Sequence, residues 1–201
     1  MNPSIICIGR QYGSGGREIG ETLADALRIP CYDKLLLQKA AQESQISQDL
    51  LKRNDEHPVR FGAVLSGNAF ADMASMSHTF YSESQMTYDA ERDVILKIAQ
   101  QGPCVIIGRC ASSILRKYEN ARSFFIYADM DDRLRRVMTR NGLGEKDAQR
   151  RIRKIDRMRK EYFDFYADTP WGEPESYDLM LSSSRYGIDG CVQLIRESLH
   201  L

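Results

Sequence analysis

Short apolar runs alternate along the chain with longer segments in which apolar residues recur every three or four positions. The short runs have the length of buried strands, and the longer segments have the period of helices that bury one face. This alternation is typical of a parallel sheet covered by helices. We therefore predict an α/β fold with one five-stranded parallel sheet. The predicted strands are residues 4–8, 29–32, 104–107, 123–127 and 178–181.

Helices are predicted between these strands and at the C-terminal end of the chain. Their ranges are residues 16–27, 33–42, 87–101, 131–140, 145–167 and 188–199. Residues 44–101 show no convincing strand pattern, and residues 57–81 are compatible with a helix, a mobile loop or both. We interpret residues 44–101 as an insertion over the site rather than as a second domain.

The composition of the chain argues against several classes of function. The 201 residues carry 28 basic and 28 acidic side chains, so the formal net charge is zero and gives no whole-protein argument for nucleic acid or an acidic membrane. Every apolar run is far shorter than the ~18 residues of a membrane span, and we expect a cytoplasmic protein without nucleic-acid or membrane partners. The five cysteines form no CxxC pair and the three histidines lack ligand spacing, which predicts reduced thiols and no His/Cys metal site.

A glycine-rich loop follows the first predicted strand. Gly13, Gly15 and Gly16 lie within four residues, directly before an amphipathic helix, and are accompanied by Ser14 and Arg17. Glycines allow successive backbone N–H groups to converge on phosphate oxygens, and a helix N-terminus adds further donors. The loop therefore predicts a phosphate-binding site. The alternative is a tight strand-to-helix turn without a ligand.

Neither standard nucleotide-binding motif matches this loop. The dinucleotide motif requires a glycine where the chain has Glu18. The mononucleotide P-loop motif would place its first glycine on Arg10, its lysine on Gly16 and its magnesium-binding hydroxyl on Arg17. The placement between strand and helix fits the P-loop, but its diagnostic side chains are missing.

The opening of the chain, IICIGRQYGSGGREIGETLADALRIPCYDK, resembles the cytidylate kinase-like family, a branch of the nucleoside monophosphate kinases whose loop reads RQYGSGGREI. The likeness extends to residues 105–109, 156–157, 171–172, 177–179 and 187–189, and thus covers most of the chain apart from residues 44–84. It implies a single three-layer P-loop kinase domain over residues 1–201. Within that domain it implies a helical acceptor-side insertion at 44–101 and a basic lid region at 133–167.

The resemblance also implies ATP-dependent phosphoryl transfer to a nucleoside monophosphate, with CMP or dCMP the first candidates. ATP phosphates would lie on the loop from Gly13 to Arg17, with Arg17 as a catalytic cation in place of the missing lysine and Arg10 as a second candidate. Ser14 and Glu18 are the candidate ligands for Mg²⁺. The alternative for Glu18 is a favourable acid in the first turn of a helix.

For the acceptor, the resemblance implies Asp33, Lys39 and Arg109. Arg109 follows a predicted strand at the edge of the sheet where α/β proteins bind ligands. The alternatives are a helix cap for Asp33, a solvated side chain for Lys39 and a structural salt bridge for Arg109. Ordinary cytidylate kinases have Gly-Arg-Asp here, whereas this chain has Cys110 after Arg109, which leaves the acceptor open.

Positive charge is concentrated in residues 133–160, which contain twelve basic and three acidic residues and so carry a local charge of +9. By the resemblance, lid arginines reach ATP and the transferring phosphoryl group. Arg150, Arg153 and Arg157 share one predicted helix face and are the candidates, with Arg153 and Arg157 as catalytic residues; Arg159 lies off that face and is weaker. A solvated charged face is the ordinary alternative, and RNA contact is a less favoured one.

The sequence is also compatible with two other functions. The missing lysine is also compatible with a nucleotide-binding module that has little turnover. A kinase for another small-molecule acceptor would differ only in the acceptor pocket. The sequence leaves the oligomeric state undetermined.

Overall fold

The five predicted strands are present in the computed structural model, which describes residues 5–33, 85 and 88–200. They form one all-parallel sheet in the order β2-β3-β1-β4-β5, so the predicted fold class is confirmed. The strands are β1 (Ile5–Arg10), β2 (Cys31–Tyr32), β3 (Cys104–Ile107), β4 (Ala121–Tyr127) and β5 (Leu179–Ser182).

Six helical segments accompany the sheet in the described ranges. They are α1 (Gly16–Leu27), α2 (88–101), α3 (Ala111–Ile114), α4 (Met130–Asn141), α5 (Glu145–Tyr166) and α6 (Ser183–Ser198), with a 3₁₀ turn at Pro174–Ser176. None of these helices is both long and apolar enough to cross a membrane.

The predicted helix bounds agree with the structure except at a few ends. Non-helical dihedrals at Gly187 divide α6, so its regular part begins at the predicted position and the preceding turn was missed. The short helix α3 was not predicted. Asp33, the expected start of a helix over 33–42, is not helical, and the rest of that helix lies outside the described residues. The assignment of an insertion at 44–101 stays a prediction, since only residue 85 and α2 are described there.

The central strand β1 separates two apolar layers. Ile6 and Ile8 pack with α1 and α6 on one face, while Ile5 and Cys7 pack with α2 and α3 on the other. Side chains alternate between faces in a strand, and both faces of a parallel sheet are covered. Full burial of each isoleucine contributes roughly 1.5–3 kcal/mol, which fixes the frame on which the loops are carried.

β1 ends two residues later than predicted. Gly9 and Arg10 continue its ladder opposite Phe125 and Ile126 of β4. The additional pairing places Arg10 at the carboxyl end of the central strand, directly before the glycine loop.

Helices α4 and α5 form a hairpin that packs on this loop. Leu134 and Val137 of α4 and Ala148 and Ile152 of α5 surround the side chain of Tyr12. The hairpin therefore covers the turn between β1 and α1.

Candidate active site

The glycines of the loop are required by both backbone conformation and space. Gly13 and Gly15 have φ values of +81° and +79°, in the left-handed region that L side chains rarely adopt. A Cβ on Gly13 would lie 2.9 Å from Cγ2 of Val137, and one on Gly16 would lie 2.6 Å from Cβ of Arg10. The loop enters α1 directly, and the first N–H groups of a helix have no acceptor within it. Such a loop provides donors for an anion.

Buried Arg133 and partly buried Asp156 hold the start of the loop against the α4–α5 hairpin. The N–H of Tyr12 donates to Oδ1 of Asp156 at 2.7 Å, and Nε of Arg133 donates to the Tyr12 carbonyl at 2.8 Å. Arg133 also pairs with the Asp156 carboxylate. We call these three residues the loop clamp. It fixes the backbone N–H and the carbonyl of Tyr12 to α5 and α4.

Further contacts hold the neighbouring carbonyls of the loop. Nη1 of Arg159 donates to the carbonyl of Arg10 at 3.0 Å. The Ser183 hydroxyl donates to the Ser14 carbonyl at 2.5 Å and accepts from Nη1 of Arg136 at 3.2 Å. These bonds engage the carbonyls of Arg10, Tyr12 and Ser14 on the side of the loop that packs against the helices. The other side of the loop faces an open cleft.

That cleft has a volume of about 920 Å³ and is rich in arginine. Its cationic side chains come from β1, α1, α4 and α5, and its acidic ones come from α1, α4 and the residue after β2. The arginines are Arg10, Arg17, Arg135, Arg136, Arg140 and Arg159, and the acids are Glu18, Glu21, Asp33 and Asp132. The excess of positive charge suits a polyphosphate.

The expected magnesium ligands differ in their placement. Ser14 is fully buried; its hydroxyl donates to the Gln11 carbonyl at 2.9 Å and accepts from the N–H of Gly16 at 3.3 Å. It does not line the cleft, whereas Glu18 is exposed and does. Within residues 5–33, 85 and 88–200, no three His, Cys, Asp or Glu side chains are grouped as a metal site. The Ser14 hydroxyl therefore bonds within the loop, and its contact with a magnesium ion stays a prediction.

Arg17 lies at the rim of the cleft. Its side chain is 46% exposed, and Nε lies 2.8 Å from Oε1 of Glu21 and 3.4 Å from Oδ2 of Asp33. The hydrogen bond to Glu21 raises the pKa of Arg17. Asp33 also lies 3.7 Å from Nη2 of Arg10, so one carboxylate faces two arginines. Lys39 lies outside the described residues.

Arg109 belongs to a buried polar network. Gly108, Arg109 and Cys110 all have positive φ, at 79°, 58° and 55°, and this left-handed turn after β3 directs the arginine inward. Nη1 of Arg109 lies 3.5 Å from Oε1 of Glu91, and the two residues are 6% and 1% exposed. Tyr162 donates to Oε2 of Glu91 at 2.9 Å. Burial raises the pKa of Tyr162. The structural salt bridge considered for Arg109 is thus formed, and its contact with an acceptor stays a prediction.

A second, smaller depression of about 30 Å³ lies at the carboxyl ends of β1 and β3. Arg109, Tyr162, Trp171 and Tyr177 contribute to its walls. Arg10 and Arg159 line this depression and also the large cleft. Within the described residues, these two arginines mark the place where the two spaces meet.

The three expected lid arginines lie outside the cleft, and their contact with ATP stays a prediction. Arg150, Arg153 and Arg157 are exposed on the outer face of α5 and line a shallow depression of about 190 Å³. Arg150 pairs with Asp147 one turn earlier. None of the three lines the cleft, whereas Arg159, the weaker candidate, does. The physical reason is helical phase, because the face that carries Arg150, Arg153 and Arg157 is opposite the face packed on the loop.

Residues 5–185 match the cytidylate kinase-like family. The chain belongs to this family. Membership agrees with the all-parallel sheet, the glycine loop between β1 and α1, and the arginine-rich cleft in front of it.

Individual relatives of this cytidylate kinase-like protein are distant. It is 27% identical over 192 residues to the cytidylate kinase of Pyrobaculum aerophilum, covering 94% of this chain and 89% of the relative. It is also 27% identical over 128 residues to a uronate isomerase of Corynebacterium glutamicum, a match that spans 64% of this chain and only 24% of that relative.

Solved structures support the fold. An uncharacterized protein from Eubacterium ventriosum shares 29% identity and a TM-score of 0.74, with 98% of both chains covered. Shikimate kinase from Bacteroides thetaiotaomicron covers 98% of both chains with a TM-score of 0.57 at 14% identity. The second likeness shows that this cytidylate kinase-like chain has a P-loop kinase fold, and it shows only the fold.

Several residues at the site were not identified from the sequence. They are Gln11, Tyr12, Arg133, Arg136, Arg140 and Asp156. A signal for one of them was present: Asp156 follows the apolar positions Ala148 and Ile152 in steps of four, so it shares their buried face. Arg159, three residues later, lies on the same side.

Proposed function

We propose that this protein is a kinase that binds MgATP on the glycine loop and transfers its γ-phosphoryl group to a small acceptor. A nucleoside monophosphate is the proposed acceptor, with CMP or dCMP first. The observation that carries the proposal is the meeting of the large cleft and the smaller depression at Arg10 and Arg159. A donor site and an acceptor site that share two cations have the arrangement that phosphoryl transfer requires.

The residues that line the cleft fit a nucleoside triphosphate. The backbone of Gly13, Gly15 and Gly16 lines the cleft, and arginines from three helices and β1 surround it. Glu18, exposed at the cleft, is the side chain that would approach a magnesium ion, directly or through water. ATP and Mg²⁺ supply the transferred group and part of the charge that neutralises it.

The chain contributes positioning and positive charge. The loop clamp holds the N–H and carbonyl of Tyr12, and Arg159 holds the carbonyl of Arg10, so the donors of the loop are fixed before a ligand arrives. In the transfer, the bond between the γ-phosphorus and the β,γ-bridging oxygen breaks while an acceptor oxygen bonds to the same phosphorus, and ADP leaves. Charge develops on the phosphoryl oxygens, and fixed arginines stabilise it without reorganising.

The acceptor class is supported by two observations. The Pyrobaculum relative, similar along 94% of this chain, is named a cytidylate kinase. Tyr162, Trp171 and Tyr177 line the smaller depression, and their aromatic faces suit contact with the edge of a nucleobase, since the volume of the depression, about 30 Å³, does not hold a whole base. CMP and dCMP are therefore the first acceptors to test.

The direct test is a coupled assay of ADP release with MgATP and each nucleoside monophosphate. ADP release that depends on CMP or dCMP supports the proposal, and release that depends on another small acceptor keeps the kinase but changes its substrate. Measurable ATP binding without turnover on any acceptor would assign a nucleotide-binding module instead. ATP alone is the control for hydrolysis. Arg159→Met is expected to reduce turnover strongly, whereas Arg151→Met, an exposed arginine on the same helix, serves as the matched control.

A further inference from the structure

The positions that depart from the P-loop motif are in contact with each other. The motif expects glycine at position 10 and lysine at position 16, and the chain has Arg10 and Gly16. A Cβ on Gly16 would lie 2.6 Å from Cβ and 3.3 Å from Cγ of Arg10. The aliphatic stem of Arg10 thus occupies the space in which a lysine side chain at position 16 would begin.

The rest of the Arg10 side chain runs from Gly16 toward β3. A Cβ on Gly108 would lie 1.8 Å from Nη1 of Arg10, so the guanidinium passes directly over a position that has no side chain. The far nitrogen, Nη2, lies 3.7 Å from Asp33. Arg10 is only 8% exposed, yet it lines both the cleft and the smaller depression. Glycines at positions 16 and 108 give this arginine a path to the junction of the two spaces.

Arg17 has a different position. It is nearly half exposed and pairs with Glu21 and Asp33 at the rim of the cleft. Arg10, in contrast, starts at the carboxyl end of the central strand and is enclosed by the loop. The burial and the position of Arg10 match those of a group that acts on a phosphoryl in transit.

We infer that positions 10 and 16 have exchanged their roles, so that Arg10 supplies the cation that lysine provides in the ordinary P-loop. This inference rests on the proposed function. A guanidinium keeps its charge at all working pH values and offers two parallel donors to phosphate oxygens. It would bind the triphosphate of the donor and stabilise the charge that develops on the transferred phosphoryl group.

The exchange is tested by reversing it. Arg10→Gly, Gly16→Lys and the Arg10→Gly/Gly16→Lys double variant are compared with the natural chain for turnover, for binding of inorganic tripolyphosphate by calorimetry, and for thermal unfolding. Arg10→Gly is expected to lose turnover by about 10²–10³-fold, the effect of removing one charge-stabilising donor, and to bind tripolyphosphate at least tenfold more weakly. Gly16→Lys alone should be destabilised by the contact with the Arg10 stem. The double variant should recover stability and a large part of the binding.

Arg10→Met keeps the stem without the charge, so it remains informative if Arg10→Gly fails to fold. Arg17→Met is the competing variant, with a several-fold effect expected at most. Equal binding of tripolyphosphate by Arg10→Met and the natural chain would overturn the inference, as would a larger loss in Arg17→Met. Weaker binding by Arg10→Met in a protein with no turnover on any acceptor would support the role of Arg10 and reject the kinase. Failure of the natural chain to bind tripolyphosphate would overturn the inference about Arg10, and the coupled assay of ADP release would decide the kinase separately.

Discussion

Replacing Asp156 with alanine should destabilise the fold and weaken nucleotide binding together, because this carboxylate joins the glycine loop to α5. It accepts the N–H of Tyr12 at 2.7 Å and pairs with Arg133, which in turn donates to the Tyr12 carbonyl. The substitution leaves a buried guanidinium without its carboxylate and a loop N–H without its acceptor.

The burial of the two partners sets the expected loss in the free energy of unfolding. Removing one partner of a buried ion pair costs about 3–5 kcal/mol. The Asp156 side chain is 18% exposed while that of Arg133 is 5% exposed, so we take the lower end, about 3 kcal/mol, for the pair. The lost acceptor for Tyr12 adds about 1 kcal/mol. A total of about 4 kcal/mol is a large share of the roughly 5–15 kcal/mol typical of a domain.

Urea unfolding measures this loss of stability, and calorimetry with ATP measures the loss of nucleotide affinity. Asp156→Asn should lose less, because its amide oxygen still accepts from Tyr12. Asp147→Ala is the matched control: it removes an exposed carboxylate from the same helix and should change stability by at most about 0.5 kcal/mol. The loop clamp does not have the role described if the free energy of unfolding of Asp156→Ala lies within about 1 kcal/mol of that of the natural chain, since roughly 3–5 kcal/mol is expected for a broken buried pair. The same conclusion follows if the fold is destabilised while ATP affinity is unchanged.

Three further predictions concern other parts of the chain. Gly13→Ala should cost about 1–3 kcal/mol more in urea unfolding than Gly142→Ala, because both have positive φ but only Gly13 lacks space for a Cβ; equal losses would contradict this. Tyr162→Phe should lower the free energy of unfolding by about 1–3 kcal/mol, since it removes a donor to buried Glu91; an unchanged value would show that the bond is weak. Burial raises the pKa of Cys104 from 9.0 to about 11. Its contribution to stability is therefore complete below pH 9 and is lost as pH rises through about 11. Urea midpoints that fall no more steeply in the natural chain than in Cys104→Ala would refute it.

The sheet and its flanking helices could be predicted because their signals are local. Helix α1 has a regular apolar face and a glycine-rich start, and its bounds were predicted without error. The end of β1 was missed because Gly9 and Arg10 have no local strand signal. Their extended conformation depends on pairing with Phe125 and Ile126, more than a hundred residues away.

The site was harder to predict because charge alone does not show which side of a helix meets a ligand. The +9 segment was recognised, but Arg153 and Arg157 lie on the outer face of α5 while Arg159 reaches the loop. Only the packing of α4 and α5 on Tyr12 sets that orientation. The ion pair of Arg109 with Glu91 likewise joins two elements that no sequence pattern relates.

We propose that the protein moves a phosphoryl group from ATP to a nucleoside monophosphate at the junction marked by Arg10. The most direct measurement is transfer of γ-³²P from MgATP to CMP or dCMP, with the products separated by chromatography. A labelled nucleoside diphosphate is expected from the natural chain. Arg10→Met should form it at least about a hundredfold more slowly, the factor of about 10² expected for one lost charge-stabilising donor. Label that appears only as inorganic phosphate, or equally fast transfer by both proteins, would contradict it.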